Sequence, residues 1–581
     1  MKNKTFKRVI DMARPHLKTI VIISILSVLI SIGEIVRPYI IKIGIDDFLS
    51  EGIYQKGAIT VGILGAIYIG IVVLNSILDF IATTTTNMMG EEILYTMRNK
   101  LFKYTMNTNI SFHDKTPAGK LFVRIINDVE DISMLFKDVI ATILKDVLLI
   151  VAIIGVMLYF SMKLSLISFI VIPFVIIVSL VLSKALNKIY DKSKVIRTNL
   201  NTFVAESIYG AKIIKIFNIQ KEKQEEHDNY TKEFRDTRSK EGIIHSLLIG
   251  TMTVLENLAI AIIVTACINK WLGISIEVGL IYAFTTYINK IFEPITRIVE
   301  NVETVQEAFV SIDKIYDLLD QKEYLEDFDS GVELSNIKGK IEFKNVWFSY
   351  NDDENWVLKD VSFTINPGES VALVGKTGSG KTTITNLINR FYEIQKGEIL
   401  LDGVNIKNIN IRNLREKIGT ILQDPFIFAK TIRENIALNK LLDDSQIEEA
   451  INLSSADEFI NSLPMRVNEV ANERGNTYSE GQKQLLAFAR VFAQNPSIFI
   501  LDEATANIDT HTESLIQESI EKISKDKTSI FIAHRLSTIV NVDKILVLQD
   551  GKIIEEGSHN ELVEKGGYYA NLYNAYYESL A

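Results

Sequence analysis

The sequence holds a single cysteine, Cys267, among its 581 residues. One thiol can neither close a disulfide within the chain nor build a thiolate metal site, so both are excluded. Cys267 stands inside an apolar run and is expected to be a small residue of a membrane helix. No small-residue cleavage pattern follows the basic N-terminal stretch, and further apolar segments come after it, so a cleaved signal peptide is not expected.

The sequence also has no excess of positively charged residues. The formal net charge is −10 at pH 7, which argues against nucleic acid as a partner for the surface as a whole. Charge is spread unevenly, because the first half contains long stretches that are nearly free of it, whereas the second half has the composition of a soluble α/β domain. At this length we expect more than one domain.

Six apolar segments in the first half are long enough for helices that cross a bilayer, which takes about 20 residues. Helices are expected because they satisfy their own backbone hydrogen bonds in lipid. Long connections rich in Lys and Arg follow the second and fourth segments, which places these connections and both termini in the cytoplasm. The predicted spans are approximately 20–45, 58–83, 139–160, 164–185, 247–269 and 278–298.

The two long connections are too hydrophilic to lie in lipid, and their apolar residues recur at helical spacing. We therefore expect spans two to five to project beyond the membrane as helices, with turns at their cytoplasmic tips. One turn falls at 112–119, where Pro and Gly interrupt the helix, and the other near 206–211. A charged linker, 321–339, is predicted to separate a membrane domain, 1–320, from a second domain, 340–581.

A glycine-rich loop in the second domain fits the pattern G-x-x-x-x-G-K-[ST]. It follows an apolar strand pattern and precedes a helical pattern that begins at Thr383. Backbone N–H groups of such a loop point at phosphate oxygens, Lys381 can reach the β- and γ-phosphates, and Thr382 can bind Mg²⁺. The sequence therefore predicts an ATP and Mg²⁺ site. The loop consists of Gly375, Lys376, Thr377, Gly378, Ser379, Gly380, Lys381 and Thr382.

Further polar residues stand at the ends of apolar strand patterns downstream of this loop. Asp502 is placed to hold Mg²⁺ through water, and Glu503 to orient or deprotonate the attacking water. Gln423 could sense Mg²⁺ and that water, and His534 could contact the γ-phosphate. Tyr350 lies upstream of the loop and could stack on adenine, although the residues alone leave an ordinary core or surface tyrosine open.

In this order and spacing, the motifs closely resemble those of half-transporters of the ABC exporter family, over nearly the whole chain. The resemblance implies a membrane all-α domain of six helices fused to a soluble α/β P-loop ATPase domain, with the two cytoplasmic tips acting as coupling helices. The glycine-rich loop corresponds to Walker A, Asp502 to the Walker B acid and Glu503 to the catalytic glutamate. Gln423 corresponds to the Q-loop, His534 to the switch histidine and Tyr350 to the A-loop aromatic.

One motif departs from the family pattern. Where the family has Leu-Ser-Gly-Gly-Gln, this chain has Tyr478, Ser479, Glu480, Gly481 and Gln482. The resemblance implies that this signature binds the γ-phosphate held by the opposite subunit. A carboxylate there would repel a triphosphate, unless Glu480 points into solvent. A complete Walker side beside an altered signature resembles one half of a heterodimeric exporter, and a homodimer remains open.

The resemblance implies ATP-driven export of a hydrophobic or amphipathic substrate, such as a drug, lipid or peptide, across the cytoplasmic membrane by alternating access. An ATP-gated channel or regulatory subunit is an alternative, which Glu503 and His534 disfavour. A DNA-repair ATPase is excluded by the spans, and an importer is disfavoured by the order of the domains. Glu256, the deepest intramembrane charge, would either bind a cationic amphiphile or pair with a basic residue. The other ionisable candidates are Glu34, Arg37, Asp79, Lys145, Asp146 and Glu293.

Overall fold

The computed structural model describes residues 2–49, 57–268, 277–351, 353–438, 440–502, 509–525, 527–532 and 539–578. The chain divides into two compact units. The first, called the membrane unit, comprises Met1–Met106 and Ala118–Lys322. The second, called the ATPase unit, comprises Asn107–Pro117 and Glu323–Ala581, so residues 112–117 of the first predicted tip belong to it and residues 118–119 to the membrane unit.

The membrane unit is helical. Its helices are α1 (Lys2–Ala13), α2 (Leu17–Ile43), α3 (Gly57–Met106), α5 (Ala118–Val123), α6 (Val129–Met134), α7 (Ala141–Phe160), α8 (Met162–Ser168), α9 (Ile172–Tyr209), α10 (Ala211–Phe217), α11 (Gln220–Ile268), α12 (Val278–Glu300) and α13 (Val302–Leu319). Short π turns (Gly44–Leu49, Arg124–Asp128, Leu135–Ile140) and 3₁₀ turns (Arg14–His16, Phe169–Val171) connect several of them. At 50 and 49 residues, α3 and α11 are far longer than a bilayer requires.

Five helical segments of this unit are long and apolar enough to cross a membrane. They are Lys4–Asp47, Val61–Met106, Ala118–Phe160, Met162–Tyr209 and Gln220–Ile268. The sixth predicted span coincides with α12, which is helical but is not among the five. Asn289, Lys290 and Glu293 lower its hydropathy, while its opposite face buries Phe284 and Tyr287 in the helical core. This helix therefore has one charged side and one apolar side.

The ATPase unit is built on two sheets. Its strands are β1 (Ile341–Phe348), β2 (Leu358–Ile365), β3 (Ser370–Val374), β4 (Lys396–Leu401), β5 (Val404–Asn405), β6 (Ile418–Ile421), β7 (Ile498–Asp502), β8 (Thr528–Ile532), β9 (Lys544–Gln549) and β10 (Lys552–Gly557). The strand orders are β2-β1-β4-β5 and β10-β9-β3-β8-β7-β6. In the larger sheet, β3, β6, β7, β8 and β9 pair in parallel. Their carboxyl ends therefore meet at one edge, where α/β folds bind ligands.

Short helices surround these sheets. They are α4 (Ile110–Lys115), α14 (Lys381–Ile388), α15 (Ile411–Lys417), α16 (Ile432–Ala437), α17 (Asp444–Leu453), α18 (Asp457–Ser462), α19 (Glu480–Gln494), α20 (Thr510–Ser524), α21 (His559–Glu564) and α22 (Tyr568–Glu578). There are 3₁₀ turns at Lys322–Tyr324, Ile406–Asn408, Arg466–Asn468 and Glu473–Gly475. Consecutive residues of β7 and β8 are buried on both faces of the parallel sheet, which is why these strands are apolar rather than alternating. The predicted α/β class of this domain is confirmed.

Candidate nucleotide site

The glycine-rich loop connects β3 to α14, at the edge where the parallel strands end. Gly380 caps α14 with φ of 105°, and Gly378 has φ of 83° with open space beside its Cα. Both values lie in the left-handed region that side chains other than glycine rarely occupy. The strand, loop and helix therefore lie in the predicted order, and the helix begins at Lys381, two residues earlier than the sequence pattern suggested.

Lys381 and Ser379 give this loop its polar interior. The Lys381 ammonium is buried and donates to the carbonyl oxygens of Gly375 at 2.7 Å and Lys376 at 3.1 Å. Burial lowers the pKa of Lys381, and the nearby Asp502 carboxylate acts in the opposite direction. The Ser379 hydroxyl is buried without a hydrogen-bond partner among the described residues. A buried cation and an unsatisfied hydroxyl beside an open glycine fit a bound polyphosphate.

Tyr350 is held against the first turn of α14. Its hydroxyl lies 3.0 Å from the Thr383 hydroxyl, and its ring makes edge-to-face contacts with Phe348 and Tyr392, at centroid distances of 4.9 and 5.0 Å. The Tyr350 side chain nevertheless remains 37% exposed. Its position beside the loop and its free surface are compatible with stacking on a nucleotide base.

The predicted Mg²⁺ ligands lie around the same sheet edge. Asp502 ends β7, where it pairs in register with Ile532 of β8. Thr382 is exposed in the first turn of α14, and Gln423 is exposed two residues after β6. Within the described residues, no group of three His, Cys, Asp or Glu side chains could hold a metal ion. These residues fit Mg²⁺ only when phosphate oxygens and water complete its ligands, which is the usual arrangement for this ion.

The two predicted catalytic residues, Glu503 and His534, lie outside the described residues. The strands that lead to them are described: β7 ends at Asp502 and β8 at Ile532.

The signature segment begins helix α19. The Ser479 hydroxyl accepts from the Gln482 N–H at 3.2 Å, and the Gln482 side-chain oxygen accepts from the Ser479 N–H at 3.0 Å. This reciprocal cap fixes the helix start and leaves the Ser479 proton free to donate. The Glu480 carboxylate is exposed and pairs with the Lys483 ammonium at 2.9 Å, while Gly481 is buried. Lys483 was missed from the sequence, although its i,i+3 spacing from Glu480 is a recognisable signal.

Arg490, also on α19, was missed as well. It donates to the Phe426 carbonyl at 2.6 Å, and to the Asn435 carbonyl and side-chain oxygen, each at 2.7 Å. Burial lowers the pKa of Arg490 to about 10, which leaves it charged at neutral pH. Arg490 therefore connects the segment that follows Gln423 with the helix that begins at the signature.

The first predicted tip, 112–119, overlaps helix α4, which packs within the ATPase unit. The Asn109 side chain caps α4 by accepting from the Phe112 N–H at 3.1 Å, and Phe112 is buried with its ring centroid 5.6 Å from that of Tyr324. The Tyr392 hydroxyl donates to the Asp114 carboxylate. Since Tyr392 also contacts Tyr350, the tip reaches the candidate nucleotide site through two aromatic rings.

The second predicted tip includes the end of α9 and helix α10. In contrast to the buried Phe112 of the first tip, Tyr209 is 91% exposed and Phe217 is 70% exposed. Ile208, Ile213 and Ile216 are exposed as well. The second tip therefore carries an uncovered apolar surface on the described chain.

Taken together, a helical membrane unit and a P-loop ATPase unit define an ATP-driven membrane transporter in a single chain. Residues 20–295 match the ABC transporter transmembrane region, and residues 358–506 match the ABC transporter family. The chain belongs to the ABC transporter family and is a half-transporter of the exporter type. ATP hydrolysis coupled to transport, a multi-pass position in the plasma membrane and a cytoplasmic ATPase domain follow from this membership.

Individual relatives cover almost all of the chain. The putative ABC transporter ATP-binding protein exp8 of Streptococcus pneumoniae is 35% identical, over 99% of this chain and 98% of its own length. The ATP-dependent lipid A-core flippase of Syntrophus aciditrophicus is 31% identical, over 98% of this chain and 94% of its own. A bacterial Atm1-family ABC exporter, solved with ATP bound, is 25% identical with a TM-score of 0.78, over 95% of this chain and 97% of that one.

Proposed function

We propose that the chain exports a hydrophobic or amphipathic molecule across the cytoplasmic membrane by alternating access, as one half of a dimer with a distinct homologous half-transporter. One observation carries the export proposal: the membrane unit contains a cavity of about 590 Å³, in the same chain as the phosphate loop. Such a volume suits a drug-sized ligand. The similarity to a lipid A-core flippase supports an amphipathic substrate.

The proposed domain division is 1–320 for the membrane domain, 321–339 for the linker and 340–581 for the ATP-binding domain. In the ATPase cycle, Tyr350 stacks on adenine and the loop from Gly375 to Thr383 binds the phosphates. Thr382, Gln423 and Asp502 would hold Mg²⁺, which would offset the charge of the phosphates. Glu503 activates the attacking water with help from Gln423 and His534, and Ser479, Gly481 and Gln482 contact the nucleotide of the opposite subunit.

The exposed second tip supports dimerisation. Tyr209 and Phe217 are large apolar side chains at a position too polar in its flanks for lipid. We assign them to a contact with the ATPase domain of the partner subunit, where burial of two aromatic rings would stabilise the dimer. The first tip has its aromatic residue, Phe112, already buried within its own chain.

A homodimer is the second candidate, and one specific contact favours it. Glu480 is paired with Lys483 at 2.9 Å, so the extra carboxylate of the signature is offset by a neighbouring cation. The Glu480 side chain is 54% exposed and that of Lys483 is 14% exposed, so solvent screens the pair in part and the pair is worth only about 0.5 kcal/mol. We therefore keep the heterodimer as the main proposal.

The catalytic role of Glu503 is tested by Glu503→Gln in purified, reconstituted transporter. ATP hydrolysis should fall by about a hundredfold or more, because the water loses its carboxylate partner, whereas ATP binding should persist. Substrate uptake into inverted vesicles should stop in parallel. Glu521→Gln, an exposed position on α20, is the matched control and should keep the wild-type rate. A Glu503→Gln variant with more than about a tenth of normal activity would show that Glu503 is not the catalytic group.

A further inference from the structure

The cavity of the membrane unit is polar. It lies among α2, α3, α7 and α12, and its volume is about 590 Å³. None of the described residues that line it is aromatic, and the acidic and basic side chains among them are equal in number. Such a lining differs from the aromatic surface that recognises lipophilic cations.

One group of charges in the cavity is net positive. The Glu34 carboxylate on α2 accepts from the Arg37 guanidinium at 2.9 Å and from the Lys290 ammonium on α12. All three side chains are largely shielded from solvent. One anion between two cations leaves a surplus of one positive charge here.

A second group is net negative. The Arg297 guanidinium donates to both oxygens of Asp146 on α7, through Nε at 3.1 Å and a terminal nitrogen at 2.7 Å, and also to Glu293. Asp146 is only 1% exposed. One cation between two anions leaves a surplus of one negative charge. Four more charged residues line the cavity: Lys145 pairs with Asp79 at 2.6 Å, Lys137 pairs with Glu91 at 2.6 Å, and Asp138 lies beside Lys137 in the chain.

The two groups are neighbours on α12. Lys290 and Glu293 are three residues apart, which is about 4.5 Å along a helix axis. A second cavity, of about 570 Å³, shares Lys290, Glu293 and Arg297 and adds Glu256 and Glu300 to its lining. The side-chain oxygen of Glu256 lies 3.0 Å from the amide of Asn289, whose nitrogen donates to it in the favoured orientation. No basic residue pairs with Glu256 in the described chain, so the negative end extends into this second cavity.

We propose that this cavity binds a zwitterionic group, with the anion of the ligand at Arg37 and Lys290 and its ammonium at Glu293, whose partner Arg297 is already neutralised by Asp146. The proposal rests on the export function proposed above and names its substrate class: a molecule whose phosphate or carboxylate and ammonium are about one helical turn apart. A zwitterion leaves the net charge of the cavity unchanged. A lone anion or cation would bring an uncompensated charge into a medium of low dielectric constant, which is costly.

Two sources share this chemistry, a phosphoethanolamine lipid headgroup and a short peptide with free ends, and the experiment has an arm for each. The nucleotide-free transporter is purified in a non-ionic detergent and titrated by calorimetry. In the lipid arm, dihexanoyl phosphatidylethanolamine is compared with dihexanoyl phosphatidylglycerol and with tetraphenylphosphonium. In the peptide arm, leucyl-leucine is compared with its acetylated and its amidated forms. The zwitterion of at least one arm should bind about tenfold tighter than its singly charged analogues.

Charge variants locate the two ends of the ligand. Lys290→Met should weaken the zwitterion and the anionic analogue alike, by about tenfold, since one charged contact is lost. Glu293→Gln should weaken only ligands that carry an ammonium. Lys232→Met and Glu233→Gln, exposed positions on α11, serve as matched controls and should leave binding unchanged.

Equal affinity for zwitterion and singly charged analogues in both arms would overturn the proposal, and this comparison needs no variant. Losses of the same size in the control variants would overturn it as well. Binding is measured without ATP, so its outcome is separate from that of the Glu503→Gln experiment. A transporter that hydrolyses ATP and exports substrate but shows no zwitterion preference would refute this inference alone.

Discussion

Lys381 shows how a single residue prepares the nucleotide site. Its ammonium is buried and held by two carbonyl oxygens of its own loop, at 2.7 and 3.1 Å. Carbonyl oxygens carry only partial charge, so phosphate oxygens would be stronger acceptors for the same donor. The ammonium of Lys381 is therefore already positioned beside the predicted phosphate site. It needs only to exchange carbonyl oxygens for phosphate oxygens when ATP binds.

Lys381→Ala should lower ATP affinity itself, by at least about tenfold, because a charge-assisted phosphate contact disappears. The measurement is equilibrium binding of a fluorescent ATP analogue. Lys565→Ala, at an exposed position in the ATPase unit, is the control and should bind normally. Unchanged affinity in Lys381→Ala would reject the assignment of the phosphate loop.

At the scale of elements, side-chain contacts connect the first tip with the nucleotide site. Asp114 of α4 accepts from the Tyr392 hydroxyl, and the ring of Tyr392 contacts Tyr350 at 5.0 Å. Tyr350 in turn lies 3.0 Å from Thr383 at the start of α14. Burial and the contact with Asp114 raise the pKa of Tyr392, so its hydroxyl remains a donor at neutral pH.

Tyr392→Phe should uncouple transport from hydrolysis in part. The ring contact with Tyr350 survives, so ATP affinity should stay near normal, while the tip loses its hydroxyl partner. A hydrogen bond worth about 1 kcal/mol corresponds to roughly a fivefold loss, expected here in substrate moved per ATP hydrolysed. Tyr568→Phe is the control. An unchanged transport-to-hydrolysis ratio in Tyr392→Phe would show that this contact does not couple the two processes.

The elements that could be predicted from the sequence are those marked by patterns of neighbouring residues. The strand, glycine-rich loop and helix are consecutive in sequence, and the two tips follow from turn residues and helical periodicity. The Tyr392–Asp114 contact joins residues 278 positions apart, and no local signal reports it. Arg490 could not be predicted because its partners, Phe426 and Asn435, are brought to it by the packing of α19, whereas the Glu480–Lys483 pair is a local i,i+3 pair. The sixth predicted span is the helix α12, one side of which is charged and lines a polar cavity while its other side is apolar.

For the whole molecule, the proposal of a heterodimer rests on the altered signature beside the predicted complete Walker side. We expect the chain expressed alone to dimerise poorly or to hydrolyse ATP slowly, because a self-dimer would place Glu480 at both nucleotide sites. Glu480→Gly should then raise the ATPase rate of the lone chain by removing that anion. Lys483→Met should lower the ATPase rate of the lone chain below that of the unsubstituted lone chain, because Glu480 would lose its compensating cation.

The two substitutions are compared by ATPase assay and by size-exclusion chromatography of the lone chain, with Lys565→Met as control. A vigorous homodimer that responds to neither Glu480→Gly nor Lys483→Met would contradict the heterodimer proposal. The family membership would stand, because it rests on matches to both the membrane and the ATPase parts of the chain.

The ATPase unit is discontinuous in sequence, since residues 107–117 belong to it. A fragment that starts at residue 323 would therefore lack Phe112, which is 1% exposed in the full chain and packs against Tyr324. Without this segment, Tyr324 and Tyr392 would lose contacts and expose apolar surface to solvent. The isolated fragment is therefore expected to self-associate through this apolar surface. Adding the 107–117 peptide in trans, or fusing it to the fragment, should reduce the self-association.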